Sequence, residues 1–132
     1  MQSSALFHAK AFLIFAGLFG CEAILFGAWS SHGLSGQEQE WAEIALRYQF
    51  LHILALLILG LTFFVAYKST IQLNRLLKLS GYLWLVGILL FSGNLSIMAA
   101  FSFTGLGFLT PIGGITLASG WLVIAISAIK LK

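Results

Sequence analysis

Leu79 to Ile129 reads LSGYLWLVGILLFSGNLSIMAAFSFTGLGFLTPIGGITLASGWLVIAISAI and contains no Asp, Glu, Lys or Arg. A bilayer core is crossed by ~20 apolar residues, so a charge-free run of about 50 is more than twice the length one crossing needs. Its one break is Ser102–Pro111, where Thr, Gly and the single Pro of the chain supply turn chemistry. The run therefore predicts two membrane helices folded back on each other, because a helix satisfies its own backbone groups where no water can.

The remainder of the chain suits the same solvent. Of 132 residues, 60% are hydrophobic and 8% charged, with a mean hydropathy of +1.00, whereas soluble domains carry about a quarter charged residues. The composition predicts one all-α domain over residues 1–132, an integral membrane four-helix bundle with spans at about 9–29, 48–67, 77–101 and 109–131. Its first partner is the lipid bilayer. The net charge of +3 is divided among small clusters between the spans, a pattern that sets topology and offers no basic surface for nucleic acid. Cys21 is the one cysteine, which excludes an intrachain disulfide and a Cys-based metal cluster.

The first span follows a polar tip with His8 and Lys10. Its apolar core is longer than a signal-peptide core and no small-x-small site follows it, so a retained helix is expected. Ala16, Gly20, Ala23, Gly27 and Ser30 recur on one side and would let a neighbouring backbone come close. Ser31–Arg47 is the one hydrophilic stretch. There Ser35 and Glu38 have capping-box spacing; Trp41, Ile44, Ala45 and Tyr48 share a face; and Glu43 and Arg47 stand four apart. A short amphipathic surface helix in the first extracytoplasmic loop is expected, with Trp41 turned down to the membrane.

In the second span Tyr48, His52, Ala55, Leu59, Thr62 and Ala66 form a stripe that should face inward. Ser80, Gly87 and Asn94 do the same in the third, and Gly113, Thr116, Gly120 and Ser127 in the fourth. Lys10, then Lys68, Arg75 and Lys78, then Lys130 and Lys132 alternate with loops that hold Arg47 beside Glu38, Glu40 and Glu43, or no charge at all. Counting Lys and Arg places both termini in the cytoplasm of a plasma (inner) membrane.

Several motifs taken together resemble a known family. They are Gly27-Ala28-Trp29-Ser30-Ser31-His32-Gly33-Leu34, Arg47-Tyr48-Gln49-Phe50-Leu51-His52 leading into Leu54-Ala55-Leu56-Leu57, Phe91-Ser92-Gly93-Asn94-Leu95, and Thr110-Pro111-Ile112-Gly113-Gly114 with Ala118-Ser119-Gly120-Trp121. In order and spacing this set is similar to the YgdD-like family of small bacterial inner-membrane proteins, a domain of unknown function, over nearly the whole chain. The resemblance implies a four-helix membrane protein and adds almost no chemistry. Trp29, Ser30, Ser31 and Asn94 depart from the family pattern, and Glu22 falls where that pattern is apolar.

Polar residues converge toward the outer side. Glu22 lies about 8 residues, or ~12 Å, below the outer end of the first span. His52 and Asn94 lie one and two turns inside theirs, with His32, Gln49, Thr110 and Pro111 at the rim, while the inner half holds little comparable. Glu22, His32, Gln49, His52, Asn94 and Thr110 thus form a candidate polar pocket opening outward. Thr110 and Pro111 read equally as the cap and first residue of a helix, and Asn94 as interhelical glue. No His or carboxylate stands three or four residues from His32 or His52, and no phosphate loop or nucleophile elbow occurs, so no cofactor, metal or catalytic residue is expected. The expected function is a non-catalytic helical module or small accessory subunit, in a homo-oligomer or a larger membrane complex. The alternative is an oligomeric permeation protein for protons or small solutes using Glu22, His52 and Asn94.

Overall fold

The computed structural model describes residues 2–69 and 71–129; Lys130, Leu131 and Lys132, which entered the charge count and the fourth span, lie outside them. The described residues form α1 (Gln2–Gly33), α2 (Gly36–Ser69), α3 (Arg75–Ile88), a π-helical turn (Leu89–Gly93), α4 (Asn94–Phe101) and α5 (Leu109–Ile129). α3, the π turn and α4 run on as one third span, so four helices, Ser3–Gly33, Gly36–Ser69, Arg75–Phe101 and Leu109–Ile129, are long and apolar enough to cross a membrane.

α1 and α2 continue well past the apolar spans that mark them, 9–29 and 48–67, because a helix ends where the backbone is stopped and not where hydropathy falls. α1 and α2 are parted only by Leu34 and Ser35, and Gly36 makes the turn at φ +59°, a conformation that favours glycine. The hydrophilic stretch is helical, but it is not a separate surface helix. It forms the first turns of α2, which has no Pro to interrupt it before Ser69. Its Trp41 packs with Phe91 against Ala45, Leu95 and Met98, so this face is spent on the third span. α3 opens on Asn74, whose side chain accepts from the Leu76 amide at 3.0 Å. α4 stops at Ser102, which turns left-handed at φ 51° and donates to Glu38 Oε1 at 3.1 Å.

α1 packs chiefly on α2, and α5 chiefly on α3. In the most apolar windows, 44% and 56% of the residues of the second and third spans are buried against 17% and 22% in the first and fourth, which puts α2 and the third span at the centre and α1 and α5 on the flanks. The small-residue side of α1 is the seam: Ala16, Ala23 and Ser30 are buried, and a Cβ on Gly27 would stand 3.3 Å from Leu46. The inward stripe of α2 holds at His52, Ala55, Leu59 and Ala66, while Tyr48 stays 43% exposed with its ring 4.8 Å from Phe91. Phe12, Leu56 and Ile88 fill the centre. On the opposite faces Leu25, Ile58, Ile115 and Leu122 are exposed, as expected of side chains meant for acyl chains.

The closest approach of a glycine to another helix's backbone is at Gly113. A Cβ there would lie 2.5 Å from the Phe91 amide nitrogen and 2.6 Å from the Leu90 carbonyl carbon, backbone atoms of the π turn that cannot swing aside. The third span widens where α5 comes nearest, a place where an inserted residue is common in membrane helices with close neighbours.

Candidate functional site

The six expected pocket residues fall into three separate groups and one outlier. His52 is 2% exposed between α2 and α5. Its Nδ1 lies 2.7 Å from the Tyr48 carbonyl, which can only accept, and its Nε2 lies 3.0 Å from Trp121 Nε1, which can only donate. The partners therefore fix the tautomer with the proton on Nδ1. Both ring nitrogens are used, leaving no lone pair for a metal. The Trp84 ring lies tilted at 4.7 Å from Trp121 and edge-on at 6.2 Å from His52, its indole seated against Gly120 and its N–H buried without a partner. This is a closed aromatic knot that ties α2, α3 and α5.

Asn94, 4% exposed, begins α4 and points at the start of α5. Its Nδ2 donates to the Leu106 carbonyl at 3.0 Å and to Thr110 Oγ1 at 2.8 Å. Thr110 is not the cap of α5, which starts one residue earlier at Leu109; its hydroxyl receives Asn94 instead. Pro111 still falls in the first turn, where its missing N–H costs nothing. Asn94 thus clamps the Ser102–Phe108 connection to the bundle.

Glu22 and Gln49 make the third group. Gln49 is 3% exposed, and its Nε2 donates to the Phe19 carbonyl at 3.2 Å and to Glu22 Oε2. Glu22 itself is exposed, on the outer side of α1 with Phe15 and Trp29. His32 stands apart, exposed in the last turn of α1. Among the described residues no three His, Cys, Asp or Glu side chains gather as a metal would need.

An opening lies instead at the opposite end of the bundle, where the sequence offers fewer polar residues within the spans. A cavity of about 590 Å³ opens between the start of α1, the end of α2 and the start of α3. Arg75, Lys78, Tyr67, Gln72 and Asn74 stand around it, and Phe63 and Ala66 floor it. His8 joins this wall through Nδ1 to Tyr82 Oη at 2.9 Å and Nε2 to Ser4 Oγ at 3.3 Å. In the sequence Arg75 and Lys78 stand as charges that orient the chain and His8 as part of a polar tip; their convergence is set by the antiparallel packing.

The known proteins that this chain resembles are named as membrane proteins, and their names carry no chemistry. A family described as "Protein of unknown function (DUF423)" matches residues 26–114. A UPF0382 membrane protein of Haemophilus influenzae is 34% identical over 125 residues, covering 92% of this chain and 95% of its own. One from Staphylococcus epidermidis is 36% identical over 126 residues, covering 92% and 97%, and the UPF0382 inner membrane protein YgdD of Escherichia coli K12 is 34% identical over 128 residues, covering 94% and 93%. No solved structure matches the chain.

Proposed function

The chain belongs to the DUF423 family of multi-pass membrane proteins, and from that premise we propose that it is a non-catalytic helical module of the inner membrane that assembles laterally through the outer face of α1. The observation that carries this reading is Glu22. It is exposed on a face otherwise built of Phe15, Leu18, Leu25 and Trp29, about seven residues or ~10 Å below Trp29 along the helix. Ionisable groups within membrane spans almost always face protein or water, because hydrocarbon solvates them poorly. Gln49 meets one carboxylate oxygen, and a contacting chain supplies the rest.

The permeation reading draws less support. His52 and Asn94 are each enclosed by their own partners, and neither they nor Glu22 line the cavity at the other end.

Assembly is tested by cysteine cross-linking in native membranes, in a Cys21→Ala background. Leu25→Cys, beside Glu22, should cross-link to a second copy or to a larger partner, whereas the equally exposed Leu122→Cys on α5 should not. Glu22→Gln should keep the contact and Glu22→Leu should weaken it about tenfold, the difference between keeping and losing a hydrogen-bonding group of roughly 1.4 kcal/mol. Equal cross-linking from both positions, or none from Leu25→Cys, would refute the α1 interface.

Orientation belongs to the same proposal. With both termini cytoplasmic, Glu40→Cys and Gln72→Cys should react with an impermeant thiol reagent from opposite sides of the membrane. Reaction from one side alone would reverse the reading.

A further inference from the structure

The cavity between α1, α2 and α3 has two properties that belong together. The first is its charge. Arg75 and Lys78 stand on its wall with the Tyr67 hydroxyl and the amides of Gln72 and Asn74, while the four side-chain carboxylates of the chain are Glu22, Glu38, Glu40 and Glu43, none of them on its lining. Two cations here face no acidic side chain, and the neighbouring donors suit an oxyanion.

The second property is continuity with an apolar groove. A further hollow of about 390 Å³ runs along the outer side of α2 past Ile58, Leu61 and Val65, and it shares Ala66, Ile71 and Leu73 with the first. A basic chamber at the level where the span meets water therefore adjoins, at Ala66, Ile71 and Leu73, an apolar channel that follows the helix into the membrane. A soluble anion would match only the chamber, and a neutral lipid only the channel. Both volumes lie in the range of small-molecule sites.

We propose that the chamber and the channel together bind one anionic phospholipid, its phosphate held by Arg75 and Lys78 and one acyl chain laid along Ile58, Leu61 and Val65. Basic pockets between membrane helices recognise anionic head groups in this way, each Lys or Arg near the surface adding about a fivefold preference. The tail gives the site its direction, since it enters hydrocarbon where the head group leaves it. The inference goes beyond lateral assembly and does not depend on it, because chamber and channel are complete within one copy.

The full-length protein in phosphatidylcholine nanodiscs carrying one copy each, doped with phosphatidylglycerol, tests this by native mass spectrometry of retained lipid. Wild type should retain phosphatidylglycerol over phosphatidylcholine, and the double variant Arg75→Gln/Lys78→Gln should lower that preference on the order of thirtyfold. Lys10→Gln/Lys68→Gln, which removes two exposed cations near the same end but off the cavity lining, should change it little. Leu61→Trp, at an exposed position in the channel, should lower retention with both cations in place, and it keeps the test open if the double variant misfolds. Equal losses in the two double variants would mean a diffuse charge belt and overturn the proposal. Retention indifferent to Leu61→Trp and competed away by inorganic phosphate would identify a free-phosphate site and overturn it as well.

Discussion

Replacing Gly113 with leucine should part α5 from the third span, with a loss of about 3 kcal/mol in reversible unfolding from mixed micelles. The first atom of the new side chain would already stand 2.5 Å from the Phe91 nitrogen and 2.6 Å from the Leu90 carbonyl carbon. Those atoms belong to the π turn, so relief requires moving a helix and not a rotamer. Withdrawal of α5 would also pull Trp121 from His52 and Thr110 from Asn94, leaving buried polar groups unpaired at some further cost. Gly114→Leu is the control. A Cβ there meets only the Phe91 ring at 3.6 Å, ordinary contact, and it should cost under half as much. Equal effects at the two positions would show that the close approach does not hold the fold.

Phe12→Ala should cost about as much, for the opposite reason. The ring is 0% exposed and meets Phe63 and Tyr82 edge to face at 5.7 and 5.3 Å, and it fills the space that Gly81 leaves by having no side chain. Buried Phe→Ala changes in soluble cores cost about 3–5 kcal/mol. In lipid the transfer part of that figure largely vanishes, because the unfolded side chain rests in hydrocarbon too. The lost contacts and the cavity remain, which places the expected loss near the lower end, about 3 kcal/mol. Phe12→Leu should recover more than half of it. A loss below about 1 kcal/mol for the alanine variant would mean that lipid or neighbouring helices close the gap.

Hydropathy carried most of the architecture. The small-residue side of α1 and the stripes through His52 and Asn94 rest on periodicities that a helix obliges the chain to keep, and the structure buries most of those residues where the spacing put them, with Tyr48 the exposed exception. The surface helix failed because hydropathy reports the surroundings of a segment and not where its backbone stops: between Gly36 and Ser69 nothing breaks the helix, so the polar turns simply continue into the apolar ones. The residues expected to form an outward pocket stand in separate groups for a different reason. Sequence gives the depth of a side chain along its helix, but its partners come from other helices. His52 meets Trp121 and Trp84, whereas Asn94 meets Thr110 at the start of α5, so the two lie about 15 Å apart along the helices and each is closed by its own partner. At 100° per residue Glu22 falls off the side of α1 that carries Ala16, Ala23 and Ser30, and it is exposed there.

The two-residue connection at Leu34–Ser35 bears on how a protease would meet this molecule. Cleavage needs a stretch of extended, unpaired backbone, and at the end of the bundle that carries Glu38, Glu40 and Glu43 there is hardly any. The other connection at that end, Ser102–Phe108, is itself closed by turns, with Gly107 N–H on the Thr104 carbonyl at 2.9 Å, Leu109 N–H on Leu106 at 2.9 Å, and the Asn94 amide on Leu106 at 3.0 Å. Nicking from that side would have to wait for a hairpin tip to open, so its rate would measure local unfolding and not accessibility. Residues 71–74, at the other end, have no helical backbone to undo and offer digestion a direct start.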